Sequence, residues 1–164
     1  MKLLRNSTFW WGMLIVIAAA GLGAAVYLAW IELDQTLGPF PTQHWLTWTG
    51  TGIIAINVPL FYFLRVRIPS AYKGLLRLHV LGNLLGAALI TVHFSTMLRW
   101  AFPADLETGV LLFTAVFISV LSGFILRFGL TRKGRGGWKF LHGAIALTFY
   151  LVVIMHILHG LGVL

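Results

Sequence analysis

Histidine is the residue type in this chain best suited to hold a metal or pass a proton. Four of the six histidines form two matched pairs. His79 and His93 lie in LRLHVLGNLLGAALITVHFSTMLRW, and His142 and His156 lie in WKFLHGAIALTFYLVVIMHILHGLGVL. In each pair the second histidine follows the first by fourteen residues. On an α-helix that interval is ~3.9 turns and ~21 Å of rise, so both members project from one face. Two histidines on facing helices can supply both axial ligands of a flat iron porphyrin. The same geometry repeated gives two non-covalent, bis-histidine b-type haems: His79 with His142, and His93 with His156. Zinc fits poorly, because its three or four ligands must cluster within a few ångströms. The absence of cysteine removes thiolate-ligated haem, covalent c-type haem, iron–sulfur clusters and cysteine zinc sites.

Two other readings of these histidines stand beside the haem reading. They can be packing residues bonded to backbone carbonyls, or relays in a non-haem transporter or proton channel. Matched intervals on two segments argue against the first. The absence of any carboxylate inside the apolar segments argues against a typical ion pump.

The elements that must position the histidines are long and apolar. Hydrophobic residues make up 59% of the 164-residue chain and charged residues only 10%, more apolar surface than a small water-soluble domain can bury. Five spans are expected, about Thr8–Trp30, His44–Leu64, Leu75–Trp100, Thr108–Arg127 and Trp138–Leu164, each long enough for ~30 Å of hydrocarbon. The expected fold is all-α: one integral-membrane domain over residues 1–164, with its ligand-bearing core at about 75–164. The first span follows Lys2 and Arg5 but exceeds a normal signal-peptide core, so it reads as a retained anchor.

Charge sets the expected orientation. Lys2 and Arg5 precede the first span; Arg65, Arg67, Lys73 and Arg77 lie between the second and third. Arg127, Arg132, Lys133, Arg135 and Lys139 lie between the fourth and fifth. Arg99 falls on the opposite side, with all four acids, Glu32, Asp34, Asp105 and Glu107. The positive-inside rule then places the N-terminus in the cytoplasm and the C-terminus outside, in a multi-pass plasma-membrane protein. Trp10, Trp11 and Trp138 mark the inner interface; Trp30, Trp45, Trp48 and Trp100 mark the outer one. The net charge of +8 therefore reads as juxtamembrane anchoring to lipid, with no nucleic-acid groove. Loops of about a dozen residues at most are too short for a flavin or nicotinamide fold. Thr131–Gly137 (TRKGRGG) reads as a basic turn.

Other residues gain roles from these positions. Gly82 and Gly86 after His79, and Gly143 and Ala144 after His142, are expected to leave room for a macrocycle. Gly86 and Phe149 fall midway along the ligand helices. Gly109 and Gly123 repeat the fourteen-residue interval on the intervening span, as if to let it approach both haems. Arg77, Lys139 and Arg127 are candidates for the inner propionates and Arg99 for the outer ones; the alternative for each is a snorkelling anchor. His159 competes with His156 as outer ligand, but its interval from His142 rotates it ~100° off that face, so His156 is preferred. His159 and Arg99 are also candidates for a proton or substrate contact outside. His44 reads as interfacial, and Asn57 with Pro59 as a kink rescued by a local hydrogen bond.

The residues His79-x13-His93, an intervening helix, and His142-x13-His156 resemble the ferric reductase-like transmembrane family, which includes the membrane half of NADPH oxidases. Similar spacing occurs in dihaem cytochromes b. The resemblance covers about Leu75–Leu164 and implies transmembrane electron transfer, usually from a cytoplasmic or quinol donor to an outer acceptor. This chain lacks the oxidases' flavin and nicotinamide domain, so NADPH oxidation would need a partner. Three roles stay open: a subunit docking a dehydrogenase or reductase, a quinone-linked carrier, or a self-sufficient oxidoreductase acting on quinol, superoxide or ferric iron.

Overall fold

A computed structural model describes residues 6–100, 107–129, 134–160 and 162–163. The charge-pattern residues Lys2, Arg5, Asp105, Arg132 and Lys133, and part of the basic turn at 131–137, lie outside these. The described chain is helical apart from one minimal hairpin. Five helices, α1 (Ser7–Tyr27), α2 (Thr42–Arg67), α3 (Tyr72–Trp100), α4 (Glu107–Phe128) and α5 (Arg135–Gly160), are long and apolar enough to cross a membrane. All five expected spans are present as helices. α2, α3 and α4 run one to three residues past their expected ends, because hydropathy marks the apolar run whereas backbone hydrogen bonds continue into polar turns, while α1 stops short of Trp30.

Specific caps account for the ends of α1 and α4. α1 stops at Tyr27 because Ala29 adopts a left-handed φ of 62°. The Ala29 N–H then donates to the Val26 carbonyl at 3.1 Å and the Trp30 N–H to the Ala25 carbonyl at 2.8 Å, a Schellman closure. α4 is closed by a glycine, the residue that pays no Cβ penalty there: Gly129 has φ 64°. Between α1 and α2, β1 (Thr36–Leu37) pairs antiparallel with β2 (Phe40–Pro41), and the Trp45 indole of α2 donates to the Leu37 carbonyl at 2.8 Å. A 3-10 turn at Pro69–Ala71 leads from α2 into α3.

The helices form two compact units, one built of α1–α3 and one of α4 and α5. In the first, α3 packs against both α1 and α2. Small residues permit the approach: a Cβ on Gly86 would lie 2.7 Å from the Gly50 carbonyl oxygen, so the α2 and α3 backbones touch there. In the second, α4 packs against α5. Leu112, Ala115, Val116 and Ser122 of α4 and Phe149, Val152 and Val153 of α5 are buried.

Candidate histidine sites

His79 and His93 both lie on the unbroken helix α3, and His142 and His156 on the unbroken helix α5. Each fourteen-residue interval is therefore a true helical interval, and the members of each pair share a face.

In the second unit, α4 meets each α5 histidine with a hydroxyl and a glycine. The His142 Nδ1 lies 3.1 Å from the Ser119 carbonyl oxygen and 3.0 Å from the Ser122 hydroxyl. A carbonyl only accepts, so Nδ1 carries the proton and Nε2 of the neutral ring carries the lone pair. The Ser122 hydroxyl donates to that same carbonyl at 3.1 Å, leaving its own lone pairs toward Nδ1. The imidazole fits against α4 because residue 123 is glycine: a Cβ there would come 3.0 Å from the His142 Cε1. One register step of fourteen residues away, the Thr108 hydroxyl lies 3.0 Å from the His156 Nδ1, and a Cβ on Gly109 would come 3.6 Å from the His156 Cε1. Gly109 and Gly123 thus seat imidazoles within this unit. The hydroxyls of Thr108 and Ser122, which escaped the sequence reading, carry the same fourteen-residue signal immediately before the two glycines.

Two buried polar atoms of α4 lack hydrogen-bond partners among the described residues: the Ser119 hydroxyl and the Nε of Arg127. An unsatisfied guanidinium N–H in a low-dielectric setting suits an anionic group. His159, by contrast, is exposed in the closing turn of α5, where its carbonyl accepts the Gly162 N–H at 3.0 Å. His156 is the half-buried one of the two. Gly143 is open, since a Cβ there meets no atom within 4 Å; Lys139 is exposed.

In the first unit the two histidines have unlike surroundings. The His79 ring stacks on Phe61 of α2, with centroids 4.4 Å apart and planes at 27°. The Asn57 amide of α2 donates to the Leu78 and His79 carbonyls, both at 3.2 Å, and to the Asn83 Oδ1 at 3.0 Å. These carbonyls fix which end of Asn57 faces α3, and so turn the Asn83 amide nitrogen toward the His79 Nδ1 at 3.4 Å. Asn57 is therefore an interhelical clamp, which corrects the expectation of a local rescue at Pro59; α2 runs through that proline as one helix. The expected room beside Gly82 and Gly86 is also corrected. Asn57 fills the face of Gly82, and Gly50 and Ile54 fill that of Gly86.

His93 has a neighbour that the sequence reading assigned to the interface. The His44 ring of α2 lies 5.6 Å from the His93 ring, centroid to centroid, and Trp48 lies 6.3 Å from His44. Arg77 is exposed, and the Arg99 guanidinium lies 4.5 Å from the Trp100 ring centroid. Among the described residues no three histidines or acids converge on a metal-sized point.

No protein-family model, curated protein or solved structure matches the chain.

Proposed function

We propose that the chain is a multi-pass membrane cytochrome b whose two haems are each held by one histidine of α3 and one of α5, and that it carries electrons across the bilayer. The observation that carries this reading is the pair of equal fourteen-residue histidine intervals on two continuous apolar helices. Under the positive-inside rule both helices run from the cytoplasm outward, which pairs His79 with His142 on the inner side and His93 with His156 on the outer side. The resemblance to the ferric reductase-like family rests on the same intervals.

The residues present suit such a group. His142 has its Nδ1 engaged by a carbonyl, the arrangement that leaves Nε2 as the ligand atom. The buried Arg127 Nε is a donor for a propionate. His79 suits iron after one adjustment: its Nδ1 must donate, so the Asn83 amide has to turn over. Turning it gives up the 3.4 Å contact to His79 and also the 3.0 Å bond from Asn57, so the cost exceeds the about 1 kcal/mol of one ordinary neutral hydrogen bond. Bound haem would supply one-electron chemistry; the chain's own part is to ligate, bury and tune it. Exposed apolar side chains such as Leu147, Leu151 and Ile154 on α5 would meet lipid.

Purified protein in detergent should contain two protohaems per chain, measured by haem extraction and by reduced-minus-oxidised spectra. Fewer than two overturns the dihaem reading, and a colourless preparation turns the histidines over to the relay reading. A reporter fused at the C-terminus should be active outside the cytoplasm; cytoplasmic activity reverses the orientation.

A further inference from the structure

α4 carries a short motif twice, a hydroxyl residue followed by glycine: Thr108-Gly109 and Ser122-Gly123. The copies are fourteen residues apart, the same step that separates His156 from His142 on the antiparallel helix α5. Each hydroxyl meets the Nδ1 of one histidine at 3.0 Å, and each glycine lies under the Cε1 of the same ring. One register thus serves both histidines, and neither copy is a lone contact.

We propose that α4 is an orienting helix, in which the Ser119 carbonyl sets the tautomer of His142, and Ser122 and Thr108 are positioning residues that tune the basicity of His142 and His156. The inference rests on the haem reading for its consequence, not for its geometry. A ring whose Nδ1–H donates pushes electron density onto Nε2, and a more basic Nε2 favours ferric over ferrous iron. The two copies differ in strength. At His142 a carbonyl, which cannot donate, fixes the Nδ1–H form, and Ser122 adds a second acceptor. At His156 the Thr108 hydroxyl can donate or accept, so it admits either tautomer until a ligand on Nε2 selects one. Gly123 lies tight against its ring and Gly109 at ordinary contact distance.

Two measurements test this. The first needs no haem: nitrogen chemical shifts of labelled histidine, in haem-depleted protein in lipid bilayers. His142 should be in the Nδ1–H form, in wild type and in Ser122→Ala alike, because the carbonyl remains. His156 should populate both forms. Finding His142 as Nε2–H overturns the proposal. The second is a potentiometric titration of the haem-loaded protein. Thr108→Val should make one haem alone easier to reduce, by up to about tenfold in the equilibrium, or ~59 mV for one electron. Thr108→Ala should do the same, and Thr108→Ser should restore the wild-type value. Ser122→Ala should move the other haem by less. Thr148→Val, which removes a hydroxyl that donates to the Ala144 carbonyl of its own helix, should move neither. Both haems shifting together, or neither, overturns the assignment. If no haem is bound, the cytochrome reading falls, while the tautomer of His142 still decides whether α4 orients it.

Discussion

The α5 histidines and the α3 histidines are held by different means. On α5, one device is used twice: a hydroxyl takes Nδ1, a glycine admits the ring, and both copies obey one helix register. On α3 each site is individual. His79 has an aromatic stack and an amide chain, whereas His93 has a second imidazole beside it. The amide chain places a donor against the Nδ1 of His79, opposite to the acceptor against the Nδ1 of His142. The α4 face reads as built for two equivalent rings. The α2 face reads as built first to join α2 to α3, with the histidines fitted into that packing.

The glycines give the most forceful way to break this contrast. Gly86→Ala drives a methyl into the Gly50 carbonyl of α2, where only backbone separation relieves the overlap. Overpacking of that kind costs about 3 kcal/mol, and the loss should appear as a lower midpoint for detergent-driven unfolding of the first unit. Gly123→Ala meets the edge of a side chain at 3.0 Å, so about 1 kcal/mol is expected, together with a displaced His142 signal. Gly109→Ala, at 3.6 Å, should stay within about 0.5 kcal/mol of wild type. A costlier Gly109→Ala than Gly123→Ala would contradict the geometry.

Asn57 probes the other side of the comparison. Asn57→Ala removes three donated hydrogen bonds to α3 and leaves the Asn83 Oδ1 without that partner, a loss of about 2 kcal/mol in the first unit. It also frees Asn83 to turn, so an accompanying change in His79 protonation, read by histidine nitrogen shifts, is expected. His142 should be unaffected. Equal responses at both histidines would remove the distinction between a clamp and an orienting helix.

Small effects of opposite sign are expected at the caps. Ala29 and Gly129 share the left-handed conformation, at φ 62° and 64°. Ala29→Gly should stabilise α1 by up to about 1 kcal/mol, and Gly129→Ala should destabilise α4 by a similar amount. Thermal unfolding in detergent would show shifts of opposite sign.

Much of the fold is legible in the sequence. Runs of apolar residues long enough for lipid located all five helices, because burial in hydrocarbon forces backbone groups to bond within their own segment. The hairpin at Thr36–Pro41 was not legible, since two residues per strand carry no periodicity. The place of His44 at a span's end suggests an interfacial residue; its closeness to His93 depends on how α2 lies on α3. Asn57, two residues before Pro59, suggests a bond within its own helix, while its partners lie twenty-one or more positions further along.

The sequence by itself determined which residues share a helix face, because fourteen residues are close to a whole number of turns. It therefore set the pairs His79/His93 and His142/His156, and equally Gly109/Gly123. Only tertiary structure decided what those faces meet. The interval of the α4 glycines is the same whether they approach a macrocycle or an imidazole, and the packing of α4 on α5 turns them toward the imidazoles. It likewise brought Thr108 and Ser122 within 3.0 Å of the histidines they serve, since helical period specifies direction from an axis and not the neighbour found there.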